Sequence, residues 1–91
     1  MNKADKGTGP AKPANPERIR VGETLRTLRE RYGYTQEMFG TALGISRTYI
    51  SLIESGNKPL TDRLLFTAAE LLGVKPYAIK HPETDQERVA A

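Results

Sequence analysis

With 91 residues the chain has room for one domain that buries a core, and not for two. It contains no cysteine, which excludes disulfide staples and thiolate metal sites, and no apolar run approaches the roughly 20 residues of a membrane span. A net charge of +3 permits nucleic-acid binding but is too small to argue for it, so the placement of charge has to decide.

Residues 1–16 interleave Gly7, Gly9, Pro10, Pro13 and Pro16 with Lys3, Lys6 and Lys12, and hold no large apolar residue after Met1. Nothing there offsets the entropy of ordering, so this segment is expected to be a disordered basic arm, a solubilising tail more often than a groove-tracking one. Residues 17–79 read as the folded domain. Residues 80–91, where Val89 is the one sizeable apolar side chain, read as a polar flexible tail.

The first helix is predicted to follow Asn15 and Pro16, a capping side chain and a first-turn proline. Val21, Leu25, Leu28 and Tyr32 share one of its faces, while Arg18, Arg20, Glu23, Arg26, Arg29 and Glu30 occupy most of the rest. Gly33 ends it. Thr35 then opens a second helix stopped at Gly44, Ser46 a third stopped at Gly56, and Thr61 a fourth stopped at Gly73. Pro76, after Lys75, begins a fifth. A second pattern agrees with these starts: Tyr34 pairs with Phe39, Ile45 with Ile50, Leu60 with Leu65 and Val74 with Ile79, each an apolar residue before the cap matched to one at the fourth helical position. Leu65, Ala68, Ala69 and Leu72 form a core stripe on the fourth helix, and Leu64, Phe66 and Leu71 are apolar surplus that points to a partner surface. No strand-like alternation is present, so the fold class is all-α with five helices.

The stretch TQEMFGTALGISRTYISLIESG, residues 35–56, carries the function. Two short helices joined through so tight a turn at Gly44 must cross steeply, as in a helix-turn-helix. Gly40 is a poor helix former on the inner face of the first of them, where a side chain larger than alanine is expected to hold the pair apart. With Ile50 and Ile53 turned inward, the opposite face of the next helix presents Arg47, Thr48, Ser51, Leu52 and Ser55, with no acidic group among them. Arg47 can donate two hydrogen bonds to a guanine edge, Thr48 and Ser51 can bond bases or phosphates, and Leu52 can lie against a thymine methyl. A basic helix face alone is more often merely solvated, and caps, staples and turn favour DNA only together with a family motif.

Residues 19–79 resemble the lambda-repressor-like helix-turn-helix proteins, which include phage repressors, Cro proteins and restriction-modification controller proteins. The resemblance rests on LRTLRERYGYTQEMFGTALGISRTYISLIESGNKPL followed by AAELLGV. It implies a five-helix DNA-binding domain whose second and third helices form the motif. It also implies that Arg47, Thr48 and Leu52 read bases, beside Ser51 on the same face, and that Gln36 contacts the DNA backbone and braces the recognition helix. Ser55, Asn57 and Lys58 match further backbone-contacting positions; apart from the resemblance, Ser46 and Tyr49 are expected to join that backbone set, although Tyr49 serves equally well lying flat on the second helix. Arg29 and Glu54 match a structural ion pair joining the first helix to the end of the third. Two positions depart from the pattern: Leu52 stands where a polar reader is usual, which favours a methyl contact or a partly covered surface, and Asp62 replaces an early apolar residue of the fourth helix, for which Leu60 can substitute.

The expected function is that of a sequence-specific transcriptional regulator, a repressor or controller-type switch, that binds a roughly palindromic double-stranded operator as a homodimer. Phe66, Tyr77 and Ile79 are the expected dimer surface. The alternative is an antitoxin-like protein-interaction module that also represses its own operon, although the tails are short for a toxin-binding extension. No cofactor, metal or membrane is implied: His81 is the one histidine and has no second ligand, and no catalytic constellation is visible. The lack of a secretory signal fits a cytoplasmic, nucleoid-associated protein of bacterial or phage origin.

Overall fold

The computed structural model of the protein describes residues 15–81, so the expectations for the arm before Asn15 and for the tail after His81 fall outside the described residues. Five helices follow one another: α1 Pro16–Arg31, α2 Gln36–Leu43, α3 Arg47–Glu54, α4 Asp62–Leu72 and α5 Pro76–Lys80. No strand occurs among the described residues. None of these helices is long and apolar enough to cross a membrane.

Local chemistry sets the boundaries. Asn15 Oδ1 accepts from the backbone N–H groups of Glu17 and Arg18, at 2.8 and 3.3 Å. Thr35, Ser46 and Thr61 each accept from the N–H three residues on, at 3.0, 3.0 and 3.4 Å. Each such cap stabilises its helix by about 1 kcal/mol. Lys75 provides no side-chain cap, and the proline after it starts α5 instead. At the other ends, Gly33, Gly44, Gly56 and Gly73 all have positive φ between 72° and 87°. At Gly44 the reversal lets Ile45 N donate to Gly40 O at 2.8 Å, so an otherwise unpaired carbonyl is satisfied as the chain turns into α3.

The core is one cluster to which all five helices contribute, with Leu25, Phe39, Ile50, Ile53 and Ile79 its largest fully buried side chains. The four apolar pairs that flank the caps all lie in this cluster or against it. Tyr34 and Phe39 meet ring to ring with centroids 5.6 Å apart. α2 packs on α3 and α4, α1 on α3 and α5, and α4 on α5.

Four expectations change. Ile79 is fully buried inside the protomer, because it anchors the short α5 to the core, and so it cannot line a dimer surface. Leu64 and Leu71 pack half-buried against the core, which leaves Phe66, 59% exposed, as the real surplus of α4. Tyr32 lies just beyond the end of α1 and is half exposed, so it is not part of that helix's buried face. At Gly40 even alanine is too large, since a Cβ would stand 2.7 Å from Ile45 O. Leu60 is buried as proposed, and Asp62 stays exposed with Lys80 Nζ 3.6 Å away.

Candidate nucleic-acid interface

α3 has eight residues, about two turns, and its sequence divides cleanly between inside and outside. Ile50 and Ile53 are 0% and 1% exposed, and Glu54 is buried beside them. Arg47, Thr48 and Ser51 are exposed on the opposite side, and Leu52 is half-buried at the edge. Tyr49 packs partly against the core. The four side chains expected to read bases therefore share the outer part of one short helix, three of them fully presented.

The position of that helix is set by one carboxylate. Glu54 receives Arg29 Nε on Oε2 at 2.6 Å, and Arg29 Nη2 and Gln36 Nε2 on Oε1 at 3.2 and 3.1 Å. Arg29 Nη1 also donates to the Tyr34 carbonyl at 2.7 Å. Arg29 and Glu54 are 6% and 7% exposed, so α1, the start of α2 and the end of α3 meet in a buried charge pair with both carboxylate oxygens hydrogen-bonded.

Gly22 completes this junction. A Cβ on it would collide with the Ile53 carbonyl and stand 2.6 Å from Glu54 O, so the backbones of α1 and α3 touch there. Gly22 and Arg29 are seven residues apart and share a helical face, which places both against the end of α3. The role of Gly22 was not read from the sequence. Its signal was a poor helix former inside an otherwise strong helical stretch, beside the inward-facing Val21.

A groove of about 670 Å³ runs beside α3. Arg26 and Glu30 of α1 line it, with Thr35, Gln36 and Glu37 at the start of α2 and Arg47, Ser51 and Ser55 on the α3 side. Arg26, Glu30, Thr35 and Glu37 were not expected at this site. Arg26 pairs with Glu30 at 3.2 Å, which leaves Arg47 as the cation of this wall that no described carboxylate engages.

Hydrogen-bond supply distinguishes the remaining groups. The Ser46 hydroxyl accepts from Tyr49 N, and its own proton remains to be given outward. Gln36 Nε2 spends one proton on Glu54 and keeps the second. Ser55 donates to the Leu52 carbonyl at 3.1 Å and accepts from Asn57 Nδ2 at 2.8 Å. Lys58 is exposed in the same loop. Phe66 and Tyr77 lie on α4 and α5, away from this junction in the chain order.

Residues 25–79 match the helix-turn-helix family. The chain is 37% identical over 62 residues to the HTH-type transcriptional regulator YazB of Bacillus subtilis, a match that spans 68% of this chain and 90% of that one. The restriction-modification controller protein C.AhdI of Aeromonas hydrophila has the same fold, with a TM-score of 0.68 at 25% identity over 71% of this chain and 98% of its own. The clp gene regulator ClgR of Corynebacterium glutamicum superposes with a TM-score of 0.65 at 28% identity, covering 75% of this chain and 86% of its own. With α2 and α3 as its motif, the chain belongs to the XRE-type helix-turn-helix family, whose members are DNA-binding transcriptional regulators and not enzymes.

Proposed function

We propose that the protein is a sequence-specific regulator, a repressor or controller-type switch, that binds duplex DNA as a symmetric homodimer with α3 in the major groove. The observation that carries this reading is the division of α3, with Ile50 and Ile53 inside and Arg47, Thr48 and Ser51 outside. A major groove admits a helix, and Arg47 offers the paired donors that match guanine O6 and N7. Thr48 and Ser51 each bring a hydroxyl that both donates and accepts, and the half-buried Leu52 suits a thymine methyl at the edge of the contact.

The backbone contacts follow from the donors still available. Gln36 and Ser46 each retain a proton, and Lys58 contributes a mobile positive charge to phosphate at the far end of α3. Tyr49, half-buried against the core, reaches a phosphate only with its outer edge. One such helix reads few bases, and each good bidentate pair supplies about 1–3 kcal/mol of discrimination. Two copies on half-sites roughly 34 Å apart give useful specificity, which is the physical reason for the dimer and for a roughly palindromic operator. Exposed Phe66, with Tyr77 on the adjoining α5, is the surface assigned to the second copy. Such a protein works where the DNA is, in the cytoplasm on the nucleoid.

Selection of bound duplexes from a random pool tests the reading, since it reports preference, symmetry and half-site spacing together. On the selected duplex, Arg47→Ala is expected to cost about 1–3 kcal/mol and to relax preference at one base position, whereas Lys58→Ala weakens all sequences alike and lowers the salt slope by about one. If no duplex is enriched, the proposal fails. If Arg47→Ala weakens every sequence equally, Arg47 is a phosphate contact.

A further inference from the structure

The chain leaves α3 through a turn, residues 55–58, whose hydrogen bonds determine which polar groups remain to face DNA. We propose that Ser55 is a positioning residue: it holds the Asn57 amide toward the DNA backbone and makes no phosphate contact of its own. This inference rests on the reading of α3 as the recognition helix.

Non-bridging phosphate oxygens accept hydrogen bonds and do not donate them, so a partner must supply a proton. A serine hydroxyl has one. In the structure that proton goes to the Leu52 carbonyl, 3.1 Å away, while Oγ accepts from Asn57 Nδ2 at 2.8 Å. Turning the Asn57 amide over does not release it, because the hydroxyl would then donate to Asn57 Oδ1. In both orientations Ser55 has an acceptor for its proton inside the protein, which a phosphate would have to displace. Asn57 needs no such displacement: its amide nitrogen carries two protons, and at most one is used on Ser55.

The turn beneath the amide is fixed from two sides. The backbone N–H groups of Asn57 and Lys58 both donate to the Leu52 carbonyl, at 2.9 and 3.1 Å. Gly56 is buried with φ of +87°, and a Cβ there would stand 2.7 Å from Ile19 Cγ1 and 3.0 Å from Ile19 Cα. The main freedom left to Asn57 is the rotation of its own side chain, and the Ser55 hydroxyl restrains that rotation before DNA arrives. Ordering the donor in advance removes part of the entropy lost on binding.

The test uses the full chain and a duplex enriched from a random pool by the wild-type protein. Ser55→Ala and Asn57→Ala are each expected to weaken binding by about threefold to tenfold. The double variant should bind no more weakly than Asn57→Ala alone, because the hydroxyl acts only through the amide. Ser55→Thr keeps the hydroxyl and should restore the wild-type affinity. If the cost of Ser55→Ala persists in full when Asn57 is already alanine, Ser55 touches the DNA itself and the proposal is wrong. It is equally wrong if either single variant binds as the wild type does. An Arg47→Ala control separates two failures: loss of binding there, with Ser55→Ala unchanged, overturns only the positioning role, whereas a wild-type protein that enriches no duplex overturns the recognition reading and the positioning role with it.

Discussion

Glu54 joins three segments through one carboxylate, and the cost of losing it depends on what is left behind. Glu54→Gln keeps the side-chain shape but leaves the buried Arg29 guanidinium beside a neutral amide, with the exposed Glu30 carboxylate, 3.6 Å from Nη2, as its remaining anion. Breaking a buried pair from one side costs about 3–5 kcal/mol, a large part of the 5–15 kcal/mol that stabilises a typical domain. The urea midpoint of Glu54→Gln is therefore expected to fall sharply. A change worth less than about 1 kcal/mol would mean that apolar packing of Leu25 and Ile53 holds α1 on α3 without the charges. Nothing in the spacing of Arg29 and Glu54, 25 positions apart, marks them as partners. That pair was legible only through resemblance to a family, whereas the outward set Arg47, Thr48 and Ser51 followed from helical periodicity once Ile50 and Ile53 were turned inward.

At the scale of helices, what the sequence revealed was what a few neighbouring residues decide among themselves. The caps at Asn15, Thr35, Ser46 and Thr61 and the glycine stops act over three to five residues, and all were legible. Close approach between helices was legible only in part, because it depends on which backbone arrives opposite. Gly40 was recognised as a packing glycine but its tightness was underestimated, and Gly22 went unrecognised until α3 was seen against it. Alanine is favoured over glycine in a helix interior by about 1 kcal/mol, so Gly22→Ala would stabilise an isolated α1. In the protein the added methyl has to push the Ile53 and Glu54 carbonyls away, and overpacking of this kind costs about 1–3 kcal/mol. The melting temperature of Gly22→Ala, followed by circular dichroism, should drop by several degrees. A rise would show that α1 shifts to accommodate the methyl at little cost.

For the molecule as a whole, sequence patterning located the core and overestimated what was left over. Periodicity cannot distinguish an apolar residue that fills a core from one that awaits a partner, since both sit on the same face. Ile79 proved to be internal and Leu64 and Leu71 half-buried against the core, whereas Phe66 stays outside at 59% exposure. A phenylalanine that exposed contributes little to the monomer's fold. If the chain pairs through Phe66 as proposed, Phe66→Glu should leave the unfolding midpoint of the monomer near the wild-type value while weakening that pairing, which sedimentation at several concentrations can resolve. An unchanged dimer would move the interface elsewhere.

The separation of inner and outer residues within two turns of helix also bears on how such a protein changes over generations. The positions that face outward on α3 make no contribution to the core, so exchanging them leaves folding nearly untouched. On the proposed reading of this face, target preference can then drift one base at a time by single substitutions. The buried junction at Glu54 has no such latitude and should change slowly while the outer face diversifies.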